Sequence, residues 1–326
     1  MVLPSIYPFP GSPDLGRRVQ DRLKKVNEQF PALAPTTLED FRRVADELST
    51  ISDVPPERTL LFRAHNQPAA DQSGVYISAA RKILFNDEYR QKRSVQEFIK
   101  SLGRHLGKKD IEDQTGKRIK TQFTSTSPRL EWTLHLTGQK SNKLQDQVDF
   151  VIFDLQALCQ TPETTVFHVA DVLQFLETSG QTYLIPPNYQ QWARNCDEYI
   201  IMGSGIEKGI VQITPWSELQ CTPIINDSFR CAYTLFWYTR FRDERMDERS
   251  QIEYGQACEM VVSTARKMAG QKAKDMEFVQ HLVRLILEPR LWFWGIQVSE
   301  DEAKILRGCE DLLRDELVAR MSQLSV

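Results

Sequence analysis

No two cysteines in this chain are spaced as CxxC, and no histidine lies near any of them at the intervals a zinc site needs. Cys159, Cys196, Cys221, Cys231, Cys258 and Cys309 are widely scattered, so they are expected to be reduced thiols in an intracellular protein, with no metal bound. A charge excess is missing as well: 41 basic and 44 acidic side chains are interspersed and leave a net charge of −3. Without a basic face, a general nucleic-acid binder is not expected. Prolines interrupt the N-terminal MVLPSIYPFPGSPDLGRR, and no later run is long and apolar enough to span a bilayer. Neither a signal peptide nor a membrane partner is expected, and the location follows as cytoplasmic, with the nucleus left open. Internal repeats and low-complexity tracts are also lacking. What the chain does have is 326 residues with 41% hydrophobic content, enough for a large core in two domains or in one with sizeable additions.

The densest chemical signal is Phe123 to Leu136, FTSTSPRLEWTLHL, a hydroxyl run between apolar segments. It reads as a strand with Phe123, Ser125 and Ser127 on one face and Thr124 and Thr126 on the other. Pro128 presets a helical first turn that Ser127 can cap, and Leu130, Thr133 and Leu134 give the helix an apolar side. A capped, hydroxyl-rich strand accounts for this stretch by itself. Arg63 before it and Glu198 after it give it a second meaning.

Thr59 to Ala64 reads as a short buried strand with Arg63 in it or at its end, followed by a turn rich in Asn, Gln, Pro and Asp. A guanidinium beside so apolar a run needs a partner. A core-edge carboxylate is one candidate, and a phosphate gripped by the planar five-donor fork is the other. His65, two residues on, shares the face of Arg63 and fits a satisfied polar residue at a strand end. Further on, Asp197 to Met202 reads as a strand holding Glu198 among apolar neighbours, where a buried carboxylate demands donors from Arg63 or Ser125. Gly203, Gly205 and Gly209 follow it. Their GxGxxxG spacing is one residue too long for a dinucleotide loop, and no βαβ unit surrounds them, so a hairpin-like bend into a second strand, Gly209 to Ile213, is the reading.

Elsewhere, helices are expected over Thr37 to Ile51 and Ser94 to His105, and a solvated Lys- and Asp-rich loop over 107–120. Asp149 to Leu155 reads as a strand apolar on both faces, and Val166 to Leu176 turns from extended to helical near Asp171, with His168 structural. After residue 222 the pattern is helical: Ser228 to Arg242, Gln256 to Lys274, Lys274 to Leu287 and Ser299 to Leu324. The last opens on a Ser299 to Glu302 capping box and presents Ile305, Leu306, Cys309, Leu312, Leu313 and Leu317. The aromatic run Leu291 to Trp294 reads as core, or as a partner surface if it is exposed.

LFRAHNQPAADQSG (Leu61 to Gly74), FTSTS (Phe123 to Ser127), VADVL (Val169 to Leu173) and EYIIMGSGI (Glu198 to Ile206), in this order, resemble the ADP-ribosyltransferase fold of the Arg-Ser-Glu class. The likeness is nearest to the catalytic subunits of cholera toxin and heat-labile enterotoxin, and extends to uncharacterised fungal proteins with such a core. It covers residues 55–216. It implies an α+β fold: a split core of mixed and antiparallel sheet with flanking helices over 55–222. The residue patterns, not the resemblance, add an arm and helix over 1–54 before it and an all-helical domain over 223–326 after it.

The resemblance implies NAD as substrate and a protein or other macromolecule as acceptor of ADP-ribose; the C-terminal helices are a candidate site for a protein partner. It implies that Glu198, Ser125 and Arg63 are catalytic and that Arg63, Ala64, His65, Ser125, Thr126 and Ser127 line the NAD site. Arg63 would grip phosphate or ribose, Ser125 orient the carboxylate, and Glu198 stabilise the positive charge that grows on ribose as nicotinamide leaves. Arginine-modifying members carry Glu or Gln two residues before the catalytic Glu. This chain has Cys196 there, on the face of Glu198 if the strand alternates regularly, with Asp197 pointing away. Arginine transfer is therefore in doubt, and three outcomes stay open: transfer to another acceptor, NAD hydrolysis, or an inactive core kept as a binding module.

Overall fold

The computed structural model describes residues 60–66, 102–103, 105–106, 111–112, 118–119, 123–144, 148–161, 164–178, 180, 182–203, 206–225, 250–288, 296–298 and 302–324. The expected N-terminal arm and helix, the turn after Arg63, most of the Ser94 to His105 helix, the Ser228 to Arg242 helix, Ser299 and the Leu291 to Trp294 run lie outside them.

Strand β1 is Leu60–Asn66. The charged stretch read as a solvated loop carries a small antiparallel ladder, β2 (Ile111–Glu112) with β3 (Arg118–Ile119). Ile111 faces Ile119 and Glu112 faces Arg118. One β-branched pair and one pair of opposite charges are the contacts that favour such a ladder. Strand β4 (Thr124–Thr126) leads to helix α1 (Leu130–Leu144), and β5 (Val148–Asp154) to α2 (Leu155–Cys159). Leu155, expected in the strand, opens the helix instead, because the Asp154 carboxylate accepts from the Ala157 amide at 3.1 Å and caps it. Then come β6 (Thr164–His168), α3 (Val169–Thr178), α4 (Pro187–Asn195), β7 (Tyr199–Gly203), a 3-10 turn (Ile206–Gly209), β8 (Ile210–Pro215) and α5 (Trp216–Leu219). Beyond these lie β9 (Ser250–Gln251), α6 (Tyr254–Ala269), α7 (Met276–Leu287), β10 (Ile296–Gln297) and α8 (Glu302–Leu324). The chain is of mixed helix and sheet, an α+β arrangement. No helix among the described residues is long and apolar enough to cross a membrane.

The chain divides into two units along its two three-stranded sheets. One unit holds Leu61–Tyr76, Arg129–Phe153 and Ile210–Val326, with the sheet ordered β1-β5-β8. Every residue of β5 except Asp154 is buried, as the apolar run predicts, and Phe150 stacks on Phe62 of β1 at 5.5 Å. β5 and β8 run antiparallel, with an irregularity after Ile152. The Thr214 hydroxyl on β8 donates to the Met268 carbonyl of α6 at 3.2 Å, so the C-terminal helices join this sheet's core. Helix α7 starts where Asp275 accepts from the Phe278 amide, and buries Phe278, Val279, Leu282, Val283 and Ile286 along one side. On α8, Ile305, Cys309 and Leu313 are fully buried, but Leu317, expected in the same stripe, is 44% exposed. Positions four apart advance about 40° round a helix, so three steps sweep roughly 120°, past the edge of an apolar stripe. Burial raises the thiol pKa values of Cys258 and Cys309, which keeps both protonated in this seam.

The other unit holds Ile77–Pro128 and Asp154–Gly209 in its central and later parts, with the sheet β4-β7-β6, antiparallel throughout. β7 and β8 therefore belong to different sheets. The hairpin-like bend expected at Gly203 to Gly209 is corrected to a crossover through the 3-10 turn, because each strand finds its hydrogen-bonding partners elsewhere.

Candidate active site

The hydroxyl strand and the Glu198 segment lie side by side. Thr124 faces Ile201, Ser125 faces Ile200 and Thr126 faces Tyr199, so the paired part of β4 ends opposite the residue that follows Glu198. Ser127 does not cap a helix as expected. Its hydroxyl donates to the Cys196 carbonyl at 2.6 Å, and α1 begins only at Leu130, so Pro128 precedes the first turn. The Thr126 hydroxyl likewise donates to the Tyr199 carbonyl at 3.2 Å. Both hydroxyls thus fasten β4 to the chain on either side of Glu198. Leu130, Thr133 and Leu134 of α1 are buried, as the sequence pattern predicts.

Ser125 is half-buried, and its Oγ lies 2.7 Å from His105 Nε2. The His105 ring sits edge-on to Phe123 at 5.3 Å. A serine hydroxyl has one proton. Where Ser125 donates to a carboxylate it must accept from His105, which requires the proton on Nε2. This contact of His105 is not visible in the sequence, because nothing local distinguishes the residue: it stands twenty positions upstream of Ser125, at the end of an ordinary amphipathic stretch.

Glu198 is 6% exposed and stands one residue before β7, where the sequence reading had put it inside the strand. The reason is the end of α4. Asp197 has φ +50°, the one left-handed non-glycine among the described residues. The Asp197 amide donates to Arg194 O at 3.3 Å and the Glu198 amide to Ala193 O at 3.0 Å. These are the two bonds of a Schellman motif, with Asp197 where glycine is the usual choice. Regular alternation therefore fails at 196–198, and the expectation that Asp197 simply points away from a flat strand is corrected. Cys196 and Glu198 do meet: the thiol lies 4.0 Å from Glu198 Oε2, and Cys196 is itself buried.

Asp197 Oδ1 takes a hydrogen bond of 2.7 Å from His168 Nε2, and the His168 ring stacks on Tyr199 at 4.5 Å, its neighbour across the β6–β7 ladder. The Val169 amide donates to the Glu198 carbonyl at 2.9 Å. Both backbone groups of Glu198 are thus fixed.

Arg63, Ala64 and His65 lie on β1, in the unit of the apolar sheet, whereas Ser125, Thr126, Ser127 and Glu198 lie in the other. Arg63 and His65 are half-buried and Ala64 is buried, with its carbonyl accepting from Lys140 Nζ at 2.8 Å. Among the described residues, no cluster of His, Cys, Asp or Glu has the makings of a metal site. No family model matches the chain, and no curated protein or solved structure matches it either.

Proposed function

We propose that the chain cleaves the bond between nicotinamide and ribose in NAD and passes ADP-ribose to an acceptor, as an enzyme of the ADP-ribosyltransferase type. The observation that carries this reading is Glu198: a carboxylate 6% exposed, with its backbone bonded on both sides, beside the hydroxyl-bearing run Thr124, Ser125, Thr126 and Ser127. When the ribose C1′–N bond breaks, its electron pair leaves with nicotinamide and positive charge develops on the sugar. A fixed carboxylate in a dry setting stabilises that charge, and the effect is larger there than in water. Ser125, held by His105, supplies a hydroxyl of defined orientation near the same strand edge. Arg63, on β1, belongs to the other unit, and the role of phosphate grip comes to it from the resemblance alone.

A second reading, in which water takes the place of a macromolecular acceptor, is supported by Cys196. A buried thiol at 4.0 Å from Glu198 Oε2 stands where an acid would orient and deprotonate an incoming guanidinium. Incubation with NAD labelled in both halves, separating free nicotinamide from protein-bound ADP-ribose, tests both readings. Nicotinamide together with bound label is the result expected for transfer, and nicotinamide with free ADP-ribose for hydrolysis. Intact NAD after exhaustive incubation overturns the proposal in favour of a binding module.

A further inference from the structure

We infer that His168 is a positioning residue for Glu198, acting by gripping the residues on either side of it. Its Nε2 holds the Asp197 carboxylate at 2.7 Å, and its ring lies 4.5 Å from the Tyr199 ring. Glu198 stands between these two contacts, and the next residue of the His168 segment, Val169, donates its amide to the Glu198 carbonyl at 2.9 Å. The junction from β6 to α3 and the junction from α4 to β7 are therefore clasped at three consecutive residues, 197 to 199.

The clasp answers a particular local need. The C′ position of a Schellman motif requires left-handed backbone, which glycine adopts without cost and a residue with a Cβ does not. Asp197 occupies it at φ +50°. Aspartate tolerates this region better than most residues, but glycine would leave no side chain to hold. A carboxylate there gives His168 a handle on the residue that sets the direction of Glu198. Left-handed strain at a non-glycine residue next to a reacting group points to function when its surroundings fix it, and His168 is what fixes it here. The expected consequence is confined to the chemical step, because Asp197 and His168 set where the Glu198 carboxylate lies and substrate binding draws on other groups.

This inference rests on the NAD-cleaving reading, and its test separates the two. Wild type, His168→Ala, Asp197→Ala and the conservative Asp197→Asn are compared in nicotinamide release from NAD. The same samples are treated with a thiol alkylator and digested, and alkylation at Cys196, which abuts Glu198, is read peptide by peptide. Both alanine variants are expected to lower kcat by about 10- to 100-fold, the scale of an ångström-sized misplacement, while KM moves by less than about threefold. Cys196, buried in wild type, is expected to alkylate faster in both. Asp197→Asn, which keeps the acceptor and tolerates the left-handed turn, is expected to recover most of kcat and of the Cys196 protection. An active wild type whose alanine variants keep kcat, or lose only melting temperature, overturns the clasp alone. A wild type that releases no nicotinamide overturns the NAD reading, and the role of His168 in it falls too.

Discussion

The two three-stranded sheets of this protein both bury apolar residues, Val166, Phe167, Ile200 and Ile201 in β4-β7-β6 among them, but differ in how much polar chemistry they bury with them. In β1-β5-β8 the middle strand reads Val148, Asp149, Phe150, Val151, Ile152, Phe153, all buried, and the adjoining helices add Val261, Leu282, Ile286, Ile305 and Leu313. In β4-β7-β6 the buried or half-buried positions include Thr124, Ser125, Thr126, Ser127, His168 and, beside β7, Glu198. Polar groups inside a protein weaken it unless each finds a partner, as Ser125, Thr126, Ser127 and His168 do here, so such a sheet gains less from burial than an apolar one. Under the proposed function the first sheet carries stability and the second the chemistry, with one exception: Arg63, which, like the buried Asp149, is a charged side chain on the apolar sheet.

Phe150→Ala is the strongest way to break the contrast. It empties a fully buried site that stacks on Phe62, and removal of a core phenylalanine costs about 3–5 kcal/mol. A thermal melt should fall steeply, while NAD turnover per folded molecule below the melt stays at the wild-type value; a selective loss of turnover would deny the division of labour. Arg63→Lys asks on which side the exception falls. If the fork grips phosphate, calorimetric titration should show NAD binding weakened by roughly 1.5–3 kcal/mol, because an ammonium cannot reproduce two parallel charged hydrogen bonds. Loss of melting temperature without loss of affinity would make Arg63 part of the apolar sheet's own ion pairing. Cys196→Glu is the mildest and sharpens the contrast. A carboxylate added beside Glu198 should raise transfer to agmatine above a poor wild-type level, provided the variant still cleaves NAD, since a longer side chain in a buried position risks displacement. Efficient agmatine transfer by wild type would show that Cys196 does not limit the acceptor.

What was legible in the sequence followed from periodicity. The strand around Phe150 and the helices α7 and α8 show in spacing, because their buried sides must be apolar, and the hydroxyl strand shows in its run of Ser and Thr; the passage from strand to helix was legible too, though it comes at Val169, ahead of the Asp171 expected. The end of α4 was not legible. A Schellman motif is read from a glycine, and here Asp197 takes the left-handed place, so the segment looked like an unbroken strand from Asp197 to Met202. Nor was the parting of β7 and β8 into separate sheets visible, since glycines between two apolar runs favour a hairpin unless the pairing partners are known. The partnership of His105 with Ser125 and that of His168 with Asp197 join positions 20 and 29 apart, distances over which side-chain contacts leave no periodic trace.

The most direct measurement is nicotinamide release from labelled NAD by wild type and by Glu198→Gln, taken beside thermal melts of both. The amide keeps the shape of the side chain and loses its charge, so release should fall by about 10²–10³ while the melting temperature holds, the scale expected for one group that acts on the transition state. Equal release by the two proteins, or none by wild type, would contradict the account.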